Sequence, residues 1–305
     1  MKILVATEKP FASAAVEGIK KEAEAAGHDV VLLESYTNKQ QLLDAVAEAD
    51  AMIVRSDKVT SEVLDAAKNL KIVVRAGAGY DSIDTGYAKE KGVIVENTPG
   101  QNSNAVAELV FGLLVYTVRN FFNGKSGSEL KGKKLGILAF GNVGRNVARI
   151  AKGFGMEVYA FDEFISKDKI EAQGVHGVDS KDDLFKNCDI VSLHIPATDE
   201  TCQSINYQVV NQMKKGGIII NTARKEIINE PELLKLLNER TDLKYISDIK
   251  PDADEDFKKL DGRYFATPKK MGAQTAEANI NAGIAAAKQI VAFFATGDEK
   301  FRVNK

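Results

Sequence analysis

This 305-residue sequence predicts an α/β protein of two doubly wound, parallel-sheet domains, and three features lead to that expectation. Short apolar runs alternate with helical patterns from the first residue, as expected for parallel strands covered by helices on both faces. The stretch Lys134 to Asp162 reads as strand, small-residue turn, helix and second strand, with glycines at 141 and 144 in the turn. The last helical pattern follows the last strand of the second alternating series. From there the chain can cross back and complete the first series.

Taken in order, Ile3–Ala6, Val30–Leu33, Ala51–Val54, Ile72–Arg75 and Val93–Val95 are short apolar runs of strand character. Helical patterns near 11–26, 39–48, 60–68 and 84–91 separate them. Asn97-Thr98-Pro99-Gly100 interrupts the series as turn chemistry. A long apolar helix is expected over 102–122, followed by the polar turn Asn123–Gly127. The second series opens with Leu135–Leu138, a helix reaching Phe154 and the strand Val158–Phe161. Ile190–Leu193, Gly217–Asn221, Lys244–Ser247 and Tyr264–Phe265 supply the later strands, and a helix over 275–296 ends the pattern. Asp252–Asp256 reads as a short acidic loop, and His176 falls in a glycine-rich loop. The expected organisation is a discontinuous substrate domain, 1–98 with 281–305, flanking an inserted nucleotide-binding domain, 99–280, with the active site in the cleft between them.

Composition narrows the function classes. With 44% hydrophobic and 28% charged residues there is apolar material for two cores, and a net charge of -2 gives no footprint for nucleic acid or a membrane surface. No apolar run approaches the ~20 residues of a spanning helix. The opening MKILVATEKPF reads as a strand rather than a secretory signal. Cys188 and Cys202 have neither metal-site nor redox-motif spacing; free thiols fit a reducing cytoplasm, and no metal is expected.

The chemistry begins at the turn Ala139-Phe140-Gly141-Asn142-Val143-Gly144. In a strand–turn–helix unit these glycines form a dinucleotide fingerprint of the Rossmann type, here A-x-G-x-x-G. Gly141 lets backbone approach a pyrophosphate, and free N–H groups of Asn142 and Val143 at the helix start supply donors. Gly144 lets helix and strand pack closely. Asp162 ends the second strand, where an acid accepts hydrogen bonds from an adenosine ribose, and Glu163 after it adds negative charge against a 2′-phosphate. NAD is therefore the expected cofactor.

Four further motifs occur in order: Arg75-Ala-Gly-Ala-Gly-Tyr-Asp-Ser-Ile-Asp84, Asn97-Thr-Pro-Gly-Gln-Asn-Ser-Asn-Ala-Val-Ala-Glu108, Val191-Ser-Leu-His-Ile-Pro196 and Asn221-Thr-Ala-Arg224. With the fingerprint, they make the chain resemble the D-isomer-specific 2-hydroxyacid dehydrogenases along its whole length. Within that family it is most similar to the short D-3-phosphoglycerate dehydrogenases without an appended regulatory domain. The resemblance implies NAD-dependent oxidation of a 2-hydroxy acid, at the entry to serine synthesis, by a homodimer joined through the nucleotide-binding domain. Surplus apolar residues on the long helix (Leu109, Val110, Phe111, Leu113, Leu114 and Val115) agree with such an interface. Cofactor contacts are implied at His194, Ile195, Pro196, Thr201, Thr222, Ala223, Arg224, Asp248 and Gly272. Arg224, after a strand at the carboxyl edge of the sheet, can hold the carboxylate and 2-oxygen of the substrate and stabilise developing alkoxide charge. A surface arginine in a salt bridge is the plain alternative. Gly77-Ala78-Gly79 reads as a loop offering N–H groups to the substrate carboxylate, or as an ordinary turn. Arg55, Ser56 and Lys58 are candidates to hold a substrate phosphate, with solvated surface as the alternative. Asn102 matches a substrate-side position and is also placed to cap a helix.

One departure stands out. The family's base is a histidine in T-P-H-x-G-A, paired with a glutamate. Here the segment is Thr267-Pro268-Lys269-Lys270-Met271-Gly272-Ala273, and the glutamate position holds Ala253. His28, His176 and His194 all lie elsewhere. A neutral lysine can take a hydroxyl proton if desolvation and a nearby cation depress its pKa, and a carboxylate partner would then work against it. Counting from Thr267-Pro268 selects Lys269 and counting back from Gly272-Ala273 selects Lys270; the downstream anchor favours Lys270. Two rival functions stay open: a reductase of glyoxylate or hydroxypyruvate on the same scaffold, and a non-catalytic NAD-sensing interaction module.

Overall fold

The structure, a computed structural model, describes residues 1–305. It divides into two compact units, Met1–Asn102 with Gln274–Lys305, and Ser103–Ala273. The expected divisions after 98 and before 281 move to helix ends. The last helix joins the first unit over its whole length, and the long apolar helix starts the second.

The first unit runs β1 (Lys2–Thr7), α1 (Ser13–Ala25), β2 (Asp29–Glu34), α2 (Lys39–Val46), β3 (Ala51–Val54), α3 (Ser61–Ala66), β4 (Ile72–Arg75), α4 (Thr85–Glu90) and β5 (Ile94–Asn97). All strand pairs are parallel, in the order β2-β1-β3-β4-β5. Alternate residues feed two cores. Leu4, Met52, Val54 and Val73 pack on one side of the sheet, and Ile3, Val5, Ile53 and Val74 on the other. α2 begins with a capping box between Asn38 and Gln41.

The second unit runs α5 (Ser103–Val118), β6 (Lys134–Leu138), α6 (Asn142–Gly153), β7 (Glu157–Phe161), α7 (Lys167–Glu171), β8 (His176–Gly177), α8 (Lys181–Asn187), β9 (Ile190–Leu193), α9 (Tyr207–Asn211), β10 (Ile218–Asn221), α10 (Glu230–Glu239), β11 (Lys244–Ser247), α11 (Asp254–Phe257) and β12 (Tyr264–Ala266). Its sheet is also parallel, in the order β12-β11-β10-β9-β6-β7-β8. The chain then returns to the first unit as α12 (Ala276–Thr296). Ala282, Ala286, Ala287 and Ile290 of α12 share a core with Ile19 and Ala23 of α1. The two helices pack so closely at Gly18 that a Cβ there would lie 2.6 Å from the Ile284 side chain.

Three local expectations change. His176 is not in a loop: with Gly177 it forms the two-residue edge strand β8, paired with Tyr159 and Ala160. The end of the expected acidic loop is the short helix α11, whose Phe257 is fully buried. The long helix stops at Val118, and Asn120, Phe121 and Phe122 follow with φ of 51°, 55° and 55°. These are left-handed values, which end a right-handed helix. The apolar surplus on α5 is largely used inside its own unit, because Val110, Phe111, Leu113 and Leu114 are buried and Leu109 and Val115 pack beside them. No helix is long and apolar enough to cross a membrane.

Candidate active site

Open parallel sheets bind ligands at their carboxyl edge, where the strand order reverses. In the second unit that point lies between β6 and β9. The fingerprint turn follows β6, and His194-Ile195-Pro196 follows β9. Gly141 is the N-cap of α6, and nothing lies within 4 Å of where its Cβ would be, so the helix start is open. Asn142 is exposed and Val143 half-buried. A Cβ on Gly144 would lie 2.3 Å from the carbonyl oxygen of Ala139, so this glycine is required for α6 to meet the turn.

Asp162 also holds backbone amides. Its Oδ2 accepts from Phe140 N at 2.7 Å, and its Oδ1 accepts from Phe164 N at 2.8 Å and Ile165 N at 3.0 Å. It lines a cavity of about 370 Å³ together with Glu163, Phe164 and Ser166.

The His194 ring is tied to Ser192 Oγ through Nε2 at 2.8 Å, and burial pushes its pKa down to about 3. Desolvation thus favours its neutral form. Ile195 is half-buried and Pro196 exposed. Thr201 donates to Pro196 O at 2.6 Å and accepts from Thr198 N at 2.8 Å, so its hydroxyl shapes the loop rather than pointing away from it. Thr222 is buried, and its Oγ1 has no protein partner. A buried hydroxyl left in that state costs free energy unless a ligand or water satisfies it.

The N-T-A-R turn is built by Asn221, which donates to Arg224 O at 2.9 Å and accepts from Ala223 N at 2.9 Å. The half-buried Arg224 donates through Nη1 to Ala223 O at 3.0 Å. Lys270 Nζ donates to the same oxygen at 3.1 Å. Guanidinium and ammonium are thus gathered on one carbonyl. Lys269 is exposed, and only its carbonyl is engaged, by Thr267 Oγ1 at 2.8 Å.

The lysine loop is held by Asp248. This carboxylate is fully buried and accepts from Thr267 Oγ1 at 2.9 Å, Met271 N at 2.8 Å and Gly272 N at 2.7 Å. Asp248, expected from the sequence to contact the cofactor, also anchors this loop. Gly272 is part of the same anchor: a Cβ there would lie 3.0 Å from Asp248 Oδ2. At the vacated glutamate position, Ala253 donates its N–H to Glu230 at 2.8 Å. The acid beside it, Asp254, is committed elsewhere. Burial works against its charge, yet Lys258, Tyr264 and Lys250 hold its pKa at about 2.

In the first unit the strand order reverses between β1 and β3. Arg55 spans that point and donates to Lys9 O and Pro10 O at 3.0 Å each and to Asn279 Oδ1 at 2.8 Å. Its guanidinium, lying 5.1 Å from the Phe11 ring centroid, is largely spent on the fold. Asp57, unremarked in the sequence reading, is the buried pin of this loop, accepting from Glu8 N, Tyr36 OH and Arg55 N. Ser56 and Lys58 are exposed. Arg75, a residue of the motif that opens at the end of β4, packs on the Gly77 turn. The Arg75 guanidinium lies so close to Gly77, whose φ is +150°, that a Cβ there would be 1.5 Å from Nη1. Arg75 also donates through Nε to Arg55 O at 2.8 Å, so two guanidinium groups come from neighbouring strand ends. Ala78 is exposed, its carbonyl taken by Asn97 Nδ2 at 2.5 Å, and Gly79 is half-buried. Asn102 lies in the turn directly before α5.

Residues 117–261 match the D-isomer specific 2-hydroxyacid dehydrogenase, NAD binding domain. The chain is 38% identical over 277 residues to hydroxypyruvate reductase of Thermotoga maritima, covering 84% of this chain and 88% of that one. It is also 38% identical over 269 residues to D-3-phosphoglycerate dehydrogenase of Methanocaldococcus jannaschii, covering 83% of this chain and 51% of that protein, so it spans about half of this longer relative. Among solved structures, NAD+-bound 3-phosphoglycerate dehydrogenase of Entamoeba histolytica superposes with a TM-score of 0.89 at 47% identity, over 100% of this chain and 99% of that one. The protein belongs to the D-isomer-specific 2-hydroxyacid dehydrogenases, oxidoreductases that use NAD.

Proposed function

We propose that this chain interconverts a D-2-hydroxy acid and its 2-oxo acid with NAD, that 3-phosphoglycerate is its preferred hydroxy acid, and that Lys270 is the proton-transferring residue. The observation that carries the reading is the shared acceptor, Ala223 O, which gathers Lys270 Nζ and Arg224 Nη1 on one turn. NAD, when bound, supplies the hydride acceptor. Gly141, Asn142 and Val143 at the open start of α6 would take its pyrophosphate, and the unpartnered Thr222 hydroxyl offers it a hydrogen bond. Arg224 would hold the carboxylate and 2-oxygen in its planar fork. Lys270, in its neutral form, would accept the hydroxyl proton. Similarity to two phosphoglycerate dehydrogenases supports the phosphorylated substrate and a place at the entry to serine synthesis.

A second reading has its own observation. Three of the donor hydrogens of Arg55 are taken by Lys9, Pro10 and Asn279, which leaves Lys58 and Ser56 as the exposed polar groups of that loop. An unphosphorylated 2-oxo acid, as in hydroxypyruvate reductase, would need no phosphate site. Following NADH with a panel of phosphorylated and unphosphorylated 2-hydroxy and 2-oxo acids separates the two. Highest kcat/KM on 3-phosphoglycerate supports the first, and highest kcat/KM on hydroxypyruvate or glyoxylate replaces it with the second. Cofactor binding without turnover of any member would point instead to an NAD-sensing module.

A further inference from the structure

We infer that Ser247 is a positioning residue that locks the lysine loop to the N-T-A-R turn and so fixes where Lys270 stands. The inference rests on the proton-transfer role proposed for Lys270. Ser247 is fully buried at the end of β11, directly after the core residues Tyr245 and Ile246. A hydroxyl in such a place costs free energy unless it is hydrogen-bonded. Its Oγ donates to Ile249 O at 2.7 Å and accepts from Ile249 N at 3.1 Å, which folds the backbone around Asp248. The same oxygen lies 3.3 Å from Asn221 O on the neighbouring strand. Ser247 and Asn221 are register partners, each the last residue of its strand.

From this pair the hydrogen bonds run in two directions. On the β10 side, Asn221 builds the N-T-A-R turn through Arg224 O and Ala223 N, both at 2.9 Å. On the β11 side, Asp248 N donates to Asn221 O at 2.8 Å, while the Asp248 carboxylate holds Thr267 Oγ1, Met271 N and Gly272 N. Thr267 N also donates to Ser247 O at 3.0 Å. The two branches meet again where Lys270 Nζ donates to Ala223 O at 3.1 Å. Strand ends, turn and loop thus form a closed circuit of hydrogen bonds. Deleting the single oxygen of the Ser247 side chain leaves the strand pairing in place but opens the turn that aims Asp248. The lysine loop then loses its fixed distance from the N-T-A-R turn.

The test uses the whole protein and two readouts. Hydrogen exchange of the cofactor-free form, followed by mass spectrometry, reads the geometry without reference to catalysis. Ser247→Ala should speed exchange severalfold in the segments covering 221–226 and 267–273, with β6 and α6 unchanged. Steady-state kinetics should show kcat about tenfold lower, since a small misplacement of a reacting group is costly, with KM little altered. Ser247→Cys, close in volume but a weak donor, should resemble the alanine variant and replaces it if that variant proves too unstable to assay. Ser247→Thr keeps the hydroxyl and should recover most of the rate. In a double-mutant cycle, Ser247→Ala should have little further effect on kcat once Lys270→Ala is present, because no lysine is left to place. Unchanged exchange in both segments overturns the inference. So does a kcat loss of equal size with and without Lys270, which would mark Ser247 as a residue of stability alone. Near-normal kcat in Lys270→Ala by itself refutes the lysine chemistry; faster exchange in Ser247→Ala would then still support the lock.

Discussion

At the scale of single residues, the lysine pair gives the sharpest prediction. Lys270→Ala should lower kcat by about a hundredfold or more, the usual range for losing a general acid–base, with little change in NAD affinity. In the oxidation direction, the rate should rise along a basic limb as the ammonium loses its proton, and that limb should vanish in the mutant. Lys269→Ala should be mild, since its side chain has no partner on the Ala223 turn. Steady-state kinetics of the single and double mutants decide it: near-normal kcat in all three would end the lysine hypothesis. A second residue carries a pH prediction. Glu96 of β5 is buried, and burial pushes its pKa from 4.5 up to about 7, with Asp298 and Glu299 adding to the rise and Phe301 N opposing it. The folded state thus holds this proton more tightly than the unfolded chain does. Its stabilising contribution is full below pH 4.5 and is lost as pH rises through about 7. The loss is at most about 3 kcal/mol, from about 1.4 kcal/mol per pKa unit. Glu96→Gln should flatten the fall in melting temperature between those pH values; an unchanged slope would place the titrating group elsewhere.

At the scale of elements, the junction of β6 and α6 tolerates nothing larger than glycine at 144. Gly144→Ala would put a methyl group 2.3 Å from a backbone oxygen, so the helix start must shift. Overpacking of this kind costs about 1–3 kcal/mol, and the displaced amides should also weaken NAD. Urea unfolding and NAD titration of one sample check both, and an unaltered pair would mean that the turn gives way freely. The same junction shows what was legible beforehand. Apolar period and turn chemistry located β6, α6 and β7 to within a residue or so, because both signals are local. The two-residue β8 was not legible, since a pair such as His176-Gly177 has no period and becomes a strand only by pairing with Tyr159 and Ala160. The end of α5 was misplaced for a related reason: Asn120–Phe122 continues the apolar pattern while its backbone has already turned left-handed.

At the scale of the whole molecule, the two units differ in how they close their cores. Ser103–Ala273 is one continuous stretch with its own seven-stranded sheet, whereas the first unit needs α12 from the far end of the chain. A fragment of residues 103–273 is therefore expected to melt cooperatively and bind NAD, and residues 1–102 alone should not melt cooperatively. Without α12, the apolar face of α1 and the Ile3–Val5 side of the sheet are uncovered. Circular dichroism melts of both fragments test this; a cooperative melt of 1–102 would show that α12 is dispensable. The homodimer implied by resemblance is a proposal that now rests on less, since α5 spends most of its apolar surface within the chain. Phe122, 65% exposed, is the large apolar side chain left outside there. Sedimentation showing a monomer at micromolar concentration would remove the dimer.

What the sequence by itself determined was the parallel α/β architecture, the fingerprint turn, the N-T-A-R turn and the absence of the usual histidine base. Each is written in neighbouring residues, through strand and helix periodicity, glycine spacing or the identity of one side chain. Only the tertiary structure decided the tasks of the charged groups. Arg55, a phosphate candidate, binds Lys9, Pro10 and Asn279, and Asp162 and Asp248, expected to contact the cofactor, also hold backbone amides. Of the two lysines, Lys270, already favoured by the downstream anchor, is the one whose Nζ donates to the carbonyl of Ala223, and the proposed assignment follows that contact. The physical reason is that a charged side chain takes whichever partners the fold brings within about 3 Å, and those partners lie far away in sequence.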